Sequence, residues 1–417
     1  MTEFLELNSL KVFFNKFKEH FGEKKLNKKK INFENSRGRI VSEDIKAKEN
    51  LPPFSRSTVD GFAVKAEDTA GASASLPAYL EVVGKIEMGE DTNIKISSGQ
   101  AVAIPTGGMM PEGADAVLMV EYTEYLDENT IESNKAVAAG ENVVLKGEDI
   151  KFDEVLFTEG HKIRARDIGA MAALGVTELN VYERPEIAVI STGDEIIKPG
   201  DEATAGEIRD INSYSISSFI NSYGAKANRV GIVKDEFELL KKSIKSNLDS
   251  DLILISGGSS VGIKDMTIDL LNSLGEPGVL LHGLSIKPGK PTIFAVIEGT
   301  PVIGLPGHPA SAWTVTKVLV TPLLKFLLGE LNIDDIAFAQ ENYRLKAKLS
   351  RNIVSDKGRE EYIPVKLIKN DKEDLIAKPL TGKSSLITTL VNGDGLIKIK
   401  SFEEGKNKGD MVKIEMI

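Results

Sequence analysis

The chain contains no cysteine. That absence excludes disulfides, thiolate zinc sites, iron–sulfur clusters and a cysteine nucleophile. Histidine is almost as scarce: His20, His161, His282 and His308 are scattered, at no spacing that would build an imidazole cage. The same scarcity leaves no promising context for Ser-His-Asp catalysis, so any metal is expected to be a hard cation on carboxylates, such as Mg²⁺. Positive charge is in deficit as well. There are 52 Lys+Arg against 62 Asp+Glu, a formal net charge of −10, the wrong sign for a broad nucleic-acid or anionic-membrane binder. Long apolar runs are missing: Val318 to Leu328 is broken by Pro322 and Lys325 and falls short of the roughly 20 residues needed to span a bilayer. The opening Met1-Thr-Glu-Phe-Leu-Glu is acidic and runs into lysines, unlike a signal peptide. A cytoplasmic location is expected, with neither nucleic acid nor membrane as a partner.

What is present reads as a multidomain folded protein. The 417 residues are 41% hydrophobic and 27% charged, ordinary for a soluble fold, and at roughly 100–200 residues per domain they suggest two to four domains. Residues 1–50 read as helix, then loop: Phe4, Leu7, Leu10, Phe13, Phe14 and Phe17 recur at three- and four-residue steps, giving one apolar helical face. The run Lys24, Lys25, Lys28, Lys29 and Lys30 reads as a solvated loop or helix end rather than an anion site. Residues 51–147 carry short β-branched or aromatic runs (Tyr79–Val83, Ala101–Ile104, Ala116–Val120, Asn142–Leu145) separated by Gly, Pro, Asp and Asn, the pattern of a β-rich insert. Residues 148–180 return to helix, with Ile163, Ile168, Met171 and Leu174 on one face and Gly175 as a stop. Together with 1–50 they form a discontinuous mixed helical and linking domain.

Residues 181–332 alternate strand and helix. The strands are expected at Ile187–Ile190, Ala227–Val233, Leu252–Ile255, Val279–His282, Thr292–Val296 and Val302–Leu305, with an amphipathic helix marked by Phe237, Leu240, Ile244 and Leu248. Such alternation implies right-handed βαβ crossovers and a mostly parallel sheet. Residues 333–417 go back to β, at Tyr343–Leu349, Tyr362–Leu367, Leu375–Ala377, Leu396–Ile399 and Met411–Ile414. The expected class is α/β plus β: a mostly parallel-sheet α/β domain, a β-rich insert and a C-terminal β domain.

The chemistry is expected in the loops. Ser256-Gly-Gly-Ser-Ser-Val-Gly262 follows an apolar strand and precedes Asp265 and a helix. It reads either as a tight turn with Asp265 as helix cap or as a ligand loop, in which glycines admit close approach of an anion to backbone N–H groups; the clustered glycines and serines favour a ligand. Ile190-Ser-Thr-Gly-Asp-Glu195 repeats the geometry with two carboxylates, which could hold Mg²⁺ or sugar hydroxyls or simply solvate the turn. Lys287-Pro-Gly-Lys-Pro291 sets two lysines around a rigid turn, as an anion seat or a plain surface turn. Gly304-Leu-Pro-Gly-His-Pro-Ala-Ser311 opens a helix with Pro309 suited to its first position. Pro52 to Ala63 offers Arg56, three hydroxyls and Asp60, and Ile104-Pro-Thr-Gly-Gly108 carries Thr106. Ala377 to Ser384 imitates a P-loop, but Ala377 replaces the first glycine and the β-rich tail supplies no βαβ context.

Taken together these loops resemble the molybdopterin molybdenumtransferase family, the MoeA and gephyrin E-domain type. PPFSRSTVDGFAV, IPTGGMMPEGADAV, GENVVLKGEDI, STGDEI, ISGGSSVGIKD, SIKPGKP and GLPGHPAS stand in family order and spacing from about Asn35 to the C-terminal domain. The resemblance implies an elongated four-domain homodimer with an α/β domain of molybdopterin-binding type. Its cleft would lie between one subunit's α/β domain and the other's β insert. The implied reaction takes adenylylated molybdopterin and molybdate, inserts the metal into the dithiolene and releases AMP with Mg²⁺ or a similar ion. Ser256, Gly257, Gly258, Ser259, Gly262 and Asp265 would face the adenylyl and pterin side, with Asp194 and Glu195 nearby. Lys287, Lys290, Ser311, Arg359 and Ser385 would form the oxyanion site, with Pro306 and Pro309 in the same substrate-binding loops. Asp60, Thr106 and Asp149 would come from the partner subunit as acid/base or metal-coordinating groups. On this reading Glu195 and Asp265 join the catalytic set, and Asp60, Asp194 and Glu195 are the metal ligands. His308 stands where the family commonly has Asn, and Phe62 where Tyr is frequent.

Three rivals remain at this level: a molybdopterin adenylyltransferase or a nucleotide pyrophosphatase on the same α/β module, and a non-catalytic dimeric scaffold. The β insert and C-terminal domain speak against the first. Asp60, Thr106, Asp149, Asp265 and both lysines speak for catalysis. An adenylyltransferase is also the expected partner that would supply the substrate.

Overall fold

The computed structural model describes residues 7–22, 26–89, 91–257, 261–337, 345–369, 373–380, 382 and 385–417. The chain divides into two compact units, one of Met1–Lys29, Gly38–Ser42 and Val181–Ile417, the other of Lys30–Arg37 and Glu43–Asn180.

The larger unit begins with helix α1 (Leu10–Phe21), opened by Ser9, whose hydroxyl accepts from the Val12 N–H. Leu10, Phe13, Phe14, Phe17 and Phe21 are buried, as the three- and four-residue spacing requires; Leu7 is exposed and Phe4 lies outside the described residues. The ring of Phe13 lies 4.6 Å from that of Phe294, and Phe17 meets Phe326 edge-on. At about 1.5–3 kcal/mol for each such side chain buried, this helix is part of the α/β core. A local helical pattern specifies an apolar face but not which core receives it.

The α/β sheet contains β1 (Glu186–Thr192), β2 (Lys226–Val233), β3 (Leu252–Ser256), β4 (Pro277–His282), β6 (Ile293–Ile297) and β7 (Thr300–Leu305) in the order 2-1-3-7-6-4. β2, β1, β3 and β7 are mutually parallel, and β6 and β4 close one edge antiparallel. Helices α2 (Asn212–Tyr223), α3 (Phe237–Lys245), α4 (Val261–Asn272) and α5 (Pro309–Val315) belong to the same unit. One core joins α1 and α2 to Val189, Leu254 and Ile303, and the other joins α3 and α4 to Ala188, Ile190, Ile253 and Ile255. Burial on both faces explains why these strands read as continuous apolar runs. All six lie where the sequence places them.

The C-terminal strands 345–349, β8 (Glu360–Lys369), 375–379, 395–399 and 411–416 form a closed ring, because 395–399 pairs with both 411–416 and β8. Its interior holds Ala347, Leu349, Val365, Ile397, Val412 and Ile414. A two-residue strand, β5 (Ile286–Lys287), pairs in parallel with the start of β8.

In the smaller unit, strands 116–119, 61–64, 100–104, 78–85, 130–133 and 123–125 form one sheet in that order. Alternate residues feed two cores, Phe62, Val64, Leu80 and Leu118 on one face and Ala63, Val102, Ile104 and Val117 on the other, as a period of two demands. Phe62 lies edge-on to Tyr125. Of residues 148–180 only Ala165–Ala173 is α-helical, preceded by extended and turn segments and followed by strand 178–182, so the expected helix is shortened at both ends. Asp167 near its start is nearly buried and is bonded by Arg164 and His161. Burial opposes its ionisation, yet those bonds hold its carboxyl well below the usual range.

Gly169 sits exposed in the middle of this helix, at negative φ with nothing near the position of a Cβ. Gly169→Ala is expected to stabilise the protein by about 0.5–1 kcal/mol, read as a raised urea midpoint with an unchanged slope.

Candidate active site

Three loops leave the carboxyl ends of β1, β3 and β7, where parallel sheets hold their ligands. They are tied to one another. At β3, Gly257 has φ +134°, and a Cβ there would fall 2.0 Å from the Thr192 carbonyl oxygen. Glycine is thus required for the β1 and β3 loops to pass, a packing role beside the one expected from its loop. Ser256 is buried, and its Oγ accepts from Asn212 Nδ2 at 2.8 Å; the same amide donates to the Gly307 carbonyl at 2.7 Å. Asn212 therefore joins the β3 loop to the β7 loop. Two residues before it, Asp210 accepts from Ser191 Oγ and the Ser213 N–H, each at 3.0 Å, tying the start of α2 to the end of β1.

Asp194 and Glu195 follow the β1 turn and are exposed. Behind them stands Asp235, which accepts from Thr192 Oγ1 at 2.5 Å while its N–H donates to Asp194 Oδ1 at 3.3 Å. Burial first, and then the negative charges of Asp194 and Glu195, push the Asp235 carboxyl up, against the Thr192 hydroxyl bond. A raised folded pKa means that stability is lost as pH rises from the unfolded carboxylate value through the folded one. Asp235→Asn is expected to raise the unfolding midpoint at pH 7 relative to pH 4, which paired thermal melts would read.

Among the described residues no group of three or more His, Asp or Glu is placed to hold a metal. Mg²⁺, however, keeps most of its waters and needs only one or two carboxylates beside substrate phosphates. The exposed Asp194 and Glu195, adjacent in one loop at the end of β1, fit that demand.

Pro306 and Ser311 are buried in the β7 loop and α5, and Pro309 is at the first turn of α5. His308 is the residue before that helix and makes no side-chain cap. Lys290 is exposed, and Lys287 Nζ lies 3.1 Å from Glu361 Oε1. Lys287 and Glu361 line a cavity of about 540 Å³ with Thr314, Arg351, Tyr362 and several prolines. Arg359 is half-buried and lies 4.0 Å from Asp356, and Ser385 is exposed. Gly258 and Ser259 lie outside the described residues, as do the side chains of residues 261–265, including position Gly262 and Asp265.

In the smaller unit the two polar loops are one structure. Ser57 and Gly107 or Gly108 exchange backbone hydrogen bonds, and the Met110 N–H donates to the Ser55 carbonyl. Asp60 Oδ1 accepts from the Thr106 N–H at 2.7 Å and from Thr106 Oγ1 at 3.0 Å. These bonds, backbone first, hold the exposed Asp60 carboxyl below its ordinary range. Asp149 is exposed, and its N–H donates to Leu51 at the start of the first loop.

Another cavity, of about 320 Å³, lies at the opposite end of the sheet beside Glu186, Lys226 and Asp251. Lys226 pairs with Glu186 there at 2.7 Å, and it has no part in the loops above. Sequence reasoning missed Asn212, Asp235, Arg351 and Glu361. The Asp-Ile-Asn run before α2 was the available signal for Asn212; the others become visible only through what they touch.

Comparison with known proteins matches residues 8–175 to the MoeA N-terminal region (domain I and II), 188–325 to a probable molybdopterin binding domain and 346–417 to the MoeA C-terminal region (domain IV). A molybdopterin molybdenumtransferase of Staphylococcus epidermidis is 34% identical over 75% of this chain and 74% of its own. The chain belongs to the molybdopterin molybdenumtransferase family. The Haemophilus influenzae molybdopterin molybdenumtransferase is 33% identical over 72% of this chain and 73% of its own length. The crystal structure of the molybdopterin biosynthesis MoeA protein from Pyrococcus horikoshii superposes with a TM-score of 0.84 at 34% identity, covering 99% of both chains. This family member is accordingly an enzyme of molybdenum cofactor biosynthesis, and the expected α/β plus β multidomain class holds. No helix among the described residues is long and apolar enough to cross a membrane.

Proposed function

We propose that this enzyme takes adenylylated molybdopterin and molybdate, inserts the metal into the dithiolene and releases AMP. The observation that carries the reading is the tying of the three strand-end loops by Asn212 and the Gly257 contact, beside the carboxylates Asp194 and Glu195. Such a seat suits a phosphate-bearing ligand. Ser256, Gly257, Gly258, Ser259, Gly262 and Asp265 would bind its adenylyl and pterin parts. Lys287, Lys290, Ser311, Arg359 and Ser385, with Pro306 and Pro309, would receive molybdate, a dianion matched to cationic donors. Asp60, Thr106 and Asp149 would be supplied by the second subunit of a homodimer.

In the reaction the bond from the adenylyl phosphorus to the bridging oxygen breaks, an oxygen nucleophile takes its place and AMP departs; as the two sulfurs bond to molybdenum, their two protons and one molybdate oxygen would leave as water, with no change of oxidation state. Asp60, kept ionised by Thr106, is suited to accept a proton or hold a cation rather than to act as an acid. Asp194 and Glu195, or Asp60, would hold Mg²⁺, which offsets phosphate charge when bound. Glu195 and Asp265 would complete the catalytic set. The same reading includes a cytoplasmic location, substrate delivery by an adenylyltransferase and the four-part division at residues 50, 147, 180 and 332.

The test is AMP release from adenylylated molybdopterin by the purified chain with Mg²⁺, with and without molybdate. Molybdate-dependent release supports the transferase. Release indifferent to the oxyanion would replace it with a pyrophosphatase, and tight binding without release with a carrier.

A further inference from the structure

Lys287 does not stand alone in its cavity. The parallel pairing of β5 with β8 sets Lys287 opposite Glu361, and the ammonium lies 3.1 Å from Glu361 Oε1. The second carboxylate oxygen accepts from Ser355 Oγ at 2.6 Å. Ser355 is buried, and its N–H is held by the Glu404 carbonyl. The carboxylate side chain is 13% exposed and the lysine side chain 44%, so the anion is anchored and the cation reaches out from it. Neighbouring Glu360 is engaged elsewhere, with Lys398 at 3.0 Å and the Tyr362 hydroxyl at 2.9 Å, and does not compete for Lys287.

We infer that Glu361, anchored by Ser355, is a positioning residue that holds the Lys287 ammonium in place for the oxyanion. The inference rests on the assignment of Lys287 proposed above. Glu361 is an acceptor only and an oxyanion has no hydrogen to give it, so the carboxylate itself contributes nothing to the anion. An ammonium has three donors; one is spent on Glu361 and two remain for the anion. A free lysine would have to be ordered as the anion binds, and ordering it beforehand removes that cost from the binding step. The C-terminal ring thereby sets the aim of a lysine that belongs to the α/β domain.

The experiment follows AMP release against molybdate concentration in the full-length chain. Glu361→Gln is expected to raise KM for molybdate about tenfold while lowering kcat less than about threefold, and Ser355→Ala to act the same way by about threefold. In a Lys287→Ala background Glu361→Gln is expected to add nothing, because the two act as one unit. A lower KM in Glu361→Gln would overturn the inference, since it would make the carboxylate merely a charge that repels the dianion. So would an additive loss in the double variant, or an unmoved KM in Glu361→Gln while Lys287→Ala loses molybdate dependence. Molybdate dependence that survives Lys287→Ala would instead overturn the assignment of the lysine, and the positioning role with it. If Glu361→Gln does not fold, Ser355→Ala carries the same readouts.

Discussion

Asp60→Ala is expected to lower molybdate-dependent AMP release by about a hundredfold or more, the range of a lost acid–base or electrostatic group. The side chain is exposed and its bonds are local to Thr106, so the unfolding midpoint is expected to stay where it is. The pH profile adds a second readout. Thr106 holds the Asp60 carboxyl below its ordinary range, so activity that needs the ionised form is retained into mild acid and lost only as pH falls through that lowered value. Thr106→Ala removes the hydroxyl bond but keeps the backbone one. The acid limb should then move to higher pH, toward the ordinary carboxylate value. A hundredfold loss in Asp60→Ala with an unshifted limb in Thr106→Ala would separate the carboxylate's role from its tuning. Near wild-type turnover in Asp60→Ala would remove it from the site.

The largest stability effect is expected from Gly257→Ala. Its Cβ would stand 2.0 Å from a backbone carbonyl oxygen, at a φ of +134° that L side chains rarely adopt. Strain of this kind and overpacking each cost about 1–3 kcal/mol, so a loss of about 3 kcal/mol or more is expected. Because the contact joins the β1 and β3 loops, ligand binding should fall even where the fold survives at low temperature. Denaturant titration reads the first effect. A ΔΔG below about 1 kcal/mol would mean that Thr192 can withdraw, contrary to the tight approach seen here. Gly169→Ala is the matched control, since that glycine has neither crowding nor positive φ.

The α/β strands were legible because each is buried on both faces, so Ile187–Ile190 or Leu252–Ile255 forms a continuous apolar run that no surface segment would carry. Strand 61–64 was not, although all four of its residues are buried. It is short, begins with glycine and follows a polar loop, so its composition reads as loop until its two neighbours are known. The same holds for 130–133, whose alternation is too brief to stand out. The β insert as a whole was legible from turn residues, but its sheet order was not.

The site divides along the same line. Glycine-rich loops after apolar strands, the paired Asp194 and Glu195, and the lysine-bearing Pro-Gly turn are local patterns, and local chemistry is enough to nominate them. Asn212 owes its role to partners 44 and 95 residues away. Asp235 owes its raised carboxyl first to burial and then to Asp194 and Glu195, some forty residues back in the chain. Glu361 is matched to Lys287 only by the pairing of two strands. By itself, then, the sequence determined the fold class, the family and the loops that carry polar chemistry, because apolar periodicity and motif order act over short stretches of chain. Tertiary structure alone decided which core receives the first helix, which loops are bonded together and which side chains hold the nominated residues in place, because those depend on contacts between distant segments that no local pattern encodes.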